Sequence, residues 1–166
     1  YLFHSISFLY LNFIGYFGLF ALFGLMLWIG IKSGLSKIEL LPIPFLMFTL
    51  SQYELISFAM TSMQQYWQFF FCLVAIIFIS KDNNLKINSI IFSFLFATIA
   101  SFTGAGGLIV FPAILIYLLV YKKGFKNTTI WLFGTIMVFF IYFIALKYHQ
   151  TAIGIASHQF VVEHML

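Results

Sequence analysis

The residues that could do chemistry in this chain are few, and most are amides and hydroxyls. Ser51-Gln52-Tyr53-Glu54 carries one carboxylate between apolar runs. Ten residues after Glu54 comes Gln64, with Gln68 four further on. At that spacing the two carboxamides share a helix face, with Trp67 beside them. A later stretch, Ser101-Phe102-Thr103-Gly104-Ala105-Gly106-Gly107, has almost no side-chain bulk and no charge. Its glycines let a ligand approach the backbone. A helix beginning at Leu108 would favour an anionic group near its N-terminus, in reach of Thr103 and Gly104. The same residues serve equally well as a tight turn and helix cap. Glu54 also has two readings. It is either a solvated loop carboxylate or a partly desolvated one with a raised pKa, beside a ligand cavity with Tyr53, Gln64 and Gln68, where it would hydrogen-bond a sugar hydroxyl.

No recognised catalytic pattern is present. There is no HExxH, no Walker A loop, no CxxC, no GxSxG and no closely spaced acidic pair. His4, His149, His158 and His164 are scattered, and the His158, Glu163, His164 spacing is no metal-ligand pattern, so neither a metal site nor a cofactor is expected. Cys72 is single and lies in an apolar run, which excludes a disulfide framework.

The elements that must position these residues are membrane helices. The chain is 63% apolar, 22% aromatic and only 7% charged, against about 25% charged in soluble domains. Its mean hydropathy is +1.08. A soluble fold of this size could not hide so much apolar surface. The apolar runs are continuous rather than alternating, which argues for helices over a β-barrel. The expected fold is all-α, a polytopic integral membrane bundle forming a single transmembrane domain. The chain begins at Tyr1 and reads as a fragment of a longer protein. Membrane elements are predicted at about 9–31, 40–50, 59–80, 88–103, 107–121 and 128–146.

The glycine stretch sets the register. Read as one helix, 88–121 would be about 50 Å long, against a hydrocarbon core of about 30 Å. The economical reading is a hairpin of two short helices broken at Gly104–Gly107, with Pro112 in the first turn of the second. Gly15 and Gly18 share a face with Leu11 and Leu22 and would admit a close neighbour. Asn12 is the one strongly polar side chain in the first span. Ser36 and Glu39 fit a capping box. The element at 40–50 is short and carries Pro42 and Pro44. Tyr66 and Trp67 fit an interfacial aromatic belt. The tail beyond Gln150 is weakly apolar and is not expected to form a full span.

All eight basic residues are lysines. If 40–50 crosses the bilayer, Lys32, Lys37, Lys81, Lys86, Lys122, Lys123 and Lys126 share one side and Lys147 stands opposite. The positive-inside rule makes the lysine-rich side cytoplasmic. The basic excess therefore reads as topology, and no nucleic-acid partner is expected.

Ser51-Gln52-Tyr53-Glu54 with Gln64 and Trp67, then Ser101 to Leu108 with Pro112, a basic loop, Trp131 and Tyr142-Phe143, resemble the outer-face signature of bacterial multi-spanning proteins related to GT-C-type glycosyltransferases. The resemblance covers about 32–148. It implies the membrane core of a glycosyltransferase in a bacterial inner membrane, using a polyprenyl-phosphate-linked sugar on the non-cytoplasmic face. It also implies that membrane lipid and the other spans of the full-length chain are its partners. The catalytic acidic residue of such enzymes would lie upstream of this sequence. Where some relatives carry a phosphate-binding lysine near the hairpin turn, this chain has Thr103 and Gly104. A channel or carrier for a neutral or lipidic solute, and a non-catalytic scaffold subunit, remain as alternatives.

Overall fold

The computed structural model describes the backbone of residues 8–48, 59–81, 86–121 and 124–165, and side chains at 10–48, 64–81, 86–121 and 124–147. Among the described residues every regular element is helical. In order they are α1 Phe8–Lys32, α2 Lys37–Leu40, α3 Pro42–Met47, α4 Ala59–Ser80, α5 Ile87–Thr103, a 3-10 turn Ala105–Ile109, α6 Val110–Val120 and α7 Phe125–Met165. Two segments, Tyr10–Lys32 and Phe125–Lys147, each 23 residues, are long and apolar enough to cross a membrane. The chain clusters into two compact units, Tyr1–Ile114 and Leu115–Leu166.

In the first unit α1 is apolar all round, but its faces differ. Gly15, Gly18, Leu19 and Leu22 are buried, whereas Tyr10, Phe13, Phe17 and Phe20 are exposed. The exposed stripe has the composition of a core, the kind of surface that another apolar surface, of protein or lipid, covers. Gly34, at φ +80°, closes α1 in the left-handed conformation favoured by glycine after a helix end.

The capping box forms. The Ser36 N–H donates to Glu39 Oε2 at 2.7 Å and the Glu39 N–H to Ser36 Oγ at 3.4 Å. Hydrogen bonding to Ser36, the backbone N–H foremost, lowers the pKa of the Glu39 carboxyl. The element expected at 40–50, whose last two positions lie outside the described residues, contains α3, and α2 ends just before it at Leu40. Pro42 has no N–H to continue α2, but it fits the first turn of a new helix, α3. This pair folds back along α1. Leu40 lies against Gly30, and the Phe48 ring meets Phe23 at 5.4 Å and Phe20 at 6.0 Å. The step from Gly30 to Phe23 along α1 is about 10 Å, roughly a third of a hydrocarbon core.

α4 runs parallel to α1. Trp67 packs on Ile14 and Gly18 near one end of the pair, and Ile77, Ser80 and Lys81 flank a cavity with Trp28, Ile29 and Lys32 at the other. α2 and α3, which follow α1, begin the return that parallel neighbours require. α5 runs antiparallel to α4. Ser93 Oγ donates to the Ala75 carbonyl at 2.7 Å, and Phe78 stacks on Phe92 and Phe96. α5 stops at Thr103, with Gly104 as its C-cap, so the break falls where the glycines predict it. Pro112 sits in the first turn of α6, where a missing N–H matters least.

In the second unit α7 begins after Gly124, at φ +95°, and continues unbroken to Met165, 41 residues. Its apolar part, Phe125–Lys147, matches the span predicted at about 128–146, and the helix itself runs on because Lys147-Tyr148-His149-Gln150 contains no glycine or proline. Thr128, Thr129 and Thr135 return their hydroxyls to carbonyls one turn back, and Trp131 is fully buried.

Candidate functional site

The end of the first unit remote from Lys32 and Lys81 carries Asn12, Gln64, Gln65 and Gln68. Gln64 and Gln68 lie on α4 as the spacing predicts, Gln64 exposed and Gln68 half-buried. The Gln68 carboxamide rests on the glycine turn. A Cβ on Gly104 would collide with Gln68 Oε1, and one on Gly106 would come within 2.6 Å of Nε2. Two positions without side chains thus form a cradle for one carboxamide. The turn is closed by the Gly104 N–H donating to the Ala100 carbonyl at 3.2 Å and the Gly107 N–H to the Gly104 carbonyl at 2.8 Å. Ala105 and Gly106 open the 3-10 turn, where backbone N–H groups have no acceptor within the helix. The arrangement therefore offers an amide and helix-start donors at one place.

The hydroxyls of the stretch do not join them. Thr103 Oγ1 donates to the Ile99 carbonyl at 2.8 Å and Ser101 Oγ to the Ala97 carbonyl at 2.9 Å, each back onto its own helix. Gly104 meets Gln68 directly. Tyr53 and Glu54 lie outside the described residues, as do the side chains of the four histidines.

Tyr66 and Trp67 do not form a lipid-facing belt. Trp67 is wedged against α1. Its Nε1–H donates to the Ile14 carbonyl at 3.1 Å, its indole covers Gly18, and Phe71 stacks on it at 5.5 Å. Tyr66 is 6% exposed and packs with Leu19, Leu22 and Met47. The cause is Gly18. Without a Cβ, α1 admits the indole, which stays half-exposed, while the Tyr66 ring is buried between the helices.

Two buried polar atoms at this end, Asn12 Oδ1 and the Tyr66 hydroxyl, have no hydrogen-bond partner. Buried polar groups are rarely left so, and each marks a place where a further donor or acceptor fits. Tyr66 also lines a cavity of about 420 Å³ with Leu22, Met26, Met47, Gln65 and Leu73. Sequence reasoning missed Gln65 and this cavity. Asn12 was the one legible signal, as a lone amide in an apolar span.

Among the described residues no cluster of His, Cys, Asp or Glu could hold a metal ion. The groups assembled here donate and accept hydrogen bonds and do not titrate near neutral pH. They can orient a neutral, hydroxyl-bearing group or an anion, while a proton transfer would need a residue from elsewhere. No protein-family model matches the chain, nor does any curated protein or solved structure.

Proposed function

We propose that the chain is a polytopic membrane bundle in a bacterial inner membrane, and that its lysine-poor end holds the sugar-bearing head of a polyprenyl-phosphate-linked donor for a GT-C-like glycosyltransferase. The observation that carries this reading is the Gln68 carboxamide seated on Gly104 and Gly106. A primary amide offers a donor and an acceptor, the pair that vicinal sugar hydroxyls match. The open backbone N–H groups of Ala105 and Gly106 suit a phosphate oxygen.

The parallel course of α1 and α4 supports the threading. If both cross the bilayer in the same sense, the chain between them must cross back, and α3 starts along that path. Lys32, Lys37, Lys81 and Lys86 then share the cytoplasmic side, and the Gln68 cradle faces outward. The apolar cavity beside Tyr66 favours a second reading, a carrier for a lipidic solute.

The test is retention of a radiolabelled polyprenyl-phosphate sugar by the chain in lipid nanodiscs. Gln68→Leu is expected to lower retention about tenfold, the effect of one or two lost hydrogen bonds to a polar ligand. Retention unchanged in Gln68→Leu, or none by the parent chain, overturns the proposal. Retention of the free polyprenol as strong as that of the sugar-bearing donor would favour the carrier.

A further inference from the structure

The opposite end of the α1–α4 pair has a cavity that the proposed function leaves unused. It measures about 360 Å³ and is lined by Trp28, Ile29, Lys32, Ser33, Ile77 and Lys81, together with Ser80. Its lining joins two lysines and two serines to an indole and two isoleucines, and among the described residues no carboxylate lines it. Lys32 Nζ sits 4.8 Å from the centroid of the Trp28 ring, which holds one ammonium against the wall. The Ser80 hydroxyl donates to the Ile77 carbonyl, leaving its lone pairs at the rim.

Lysines at helix C-termini have a simpler role, because they offset the negative end of each macrodipole. That role accounts for the charges. It does not account for a cavity into which two parallel helices bring both lysines, an indole and two serines. A cavity lined by ammonium and hydroxyl groups beside apolar side chains is complementary to an amphiphile with an anionic head.

We propose that this cavity binds the phosphodiester head of an anionic glycerophospholipid, with Lys32 and Lys81 at the phosphate and the first acyl carbons along Ile29 and Ile77. The site lies at the lysine-rich end, where basic pockets between spanning helices meet headgroups. It rests on the membrane reading but not on any transferase activity.

Native mass spectrometry of the whole chain, released from nanodiscs of mixed phosphatidylglycerol and phosphatidylethanolamine, tests it. The parent chain is expected to retain phosphatidylglycerol preferentially. Lys32→Gln with Lys81→Gln should lower that preference about thirtyfold, what two basic residues contribute at an anionic surface. Lys37→Gln with Lys86→Gln removes equal charge from the same end and should change it less than about twofold. Equal losses in the two pairs would reduce the effect to diffuse surface charge and overturn the site. Release of the bound lipid by inorganic phosphate alone would assign the cavity to a free anion and overturn the lipid. Should the lysine variants fail to fold, the unaltered protein still decides. Brominated phosphatidylglycerol should quench the fluorescence component that Trp28→Phe removes more than brominated phosphatidylethanolamine does, and equal quenching overturns the proposal. A failed sugar-retention experiment at the other end leaves these outcomes unchanged.

Discussion

Gly107 and Gly18 both permit close approach in the first unit, and they differ in what approaches. At Gly107 the neighbour is backbone. A Cβ there would collide with the Ala100 carbonyl and lie 2.7 Å from the Ser101 nitrogen. At Gly18 the neighbour is a side chain, the Trp67 indole, with Nε1 2.9 Å from the position a Cβ would take. A carbonyl inside a helix cannot move without breaking its ladder, whereas an indole can tilt. The same small residue is therefore obligatory in the hairpin turn and adjustable between α1 and α4. Glycine frequency in a membrane-like sequence does not separate these cases, because what separates them is the identity of the partner atom.

The hairpin turn should break first. Gly107→Ala adds one methyl with nowhere to go, and the expected destabilisation is about 3 kcal/mol, the upper part of the usual overpacking range. Thermal unfolding in detergent would register this as a fall in midpoint and in the yield of monodisperse protein. A melting curve matching the parent would mean that the turn does not hold Gly107 against Ala100.

At the softer site Gly18→Ala should cost about 1 kcal/mol, because the indole gives way. Trp67→Phe removes the hydrogen bond to the Ile14 carbonyl along with part of the ring, and should cost about 2 kcal/mol. Combined, the two changes should be less harmful than their sum, since the smaller ring leaves room for the added methyl. Strict additivity in that double-mutant cycle would show that Gly18 and Trp67 do not share one contact.

The sequence made legible what depends on near neighbours in the chain. The capping box at Ser36 and Glu39, the helix stop at Gly104 and the start of α6 before Pro112 are decided within one or two turns, and each lies where its local chemistry places it. In α7 the polar run from Lys147 marks the end of the apolar span, as the sequence predicts, but not the end of the helix, because only glycine or proline signals a change of backbone. Trp67 was illegible because an indole after three polar residues suits a membrane interface and a helix contact equally well, and only the partner, Gly18 some 50 positions away, decides between them. The cradle was legible in halves. Gln68 and Gly104 both stood out, but the pairing of one with the other required the antiparallel register of α4 and α5. Tyr53 and Glu54 lie outside the described residues, so the carboxylate half of the sequence reading stays with the sequence.

Gly24 gives the smallest effect and the one whose sign carries information. It lies in the interior of α1, is exposed, and has nothing within 4 Å of where a Cβ would be. Interior glycine weakens a helix by about 1 kcal/mol relative to alanine, through the backbone freedom it surrenders on folding. If Gly24 faces only lipid, Gly24→Ala should therefore raise the thermal midpoint slightly. If instead another helix packs there in the membrane, the added methyl meets a surface and the sign reverses, as at Gly18. The position is flanked by exposed Phe20 and Trp28 on the same side of α1, 61% and 48% exposed. These are large side chains that a close helix contact would have to displace, so the stabilising sign is the expected one. A measured loss of stability would place Gly24 with Gly18 and Gly107, among glycines kept for what approaches them.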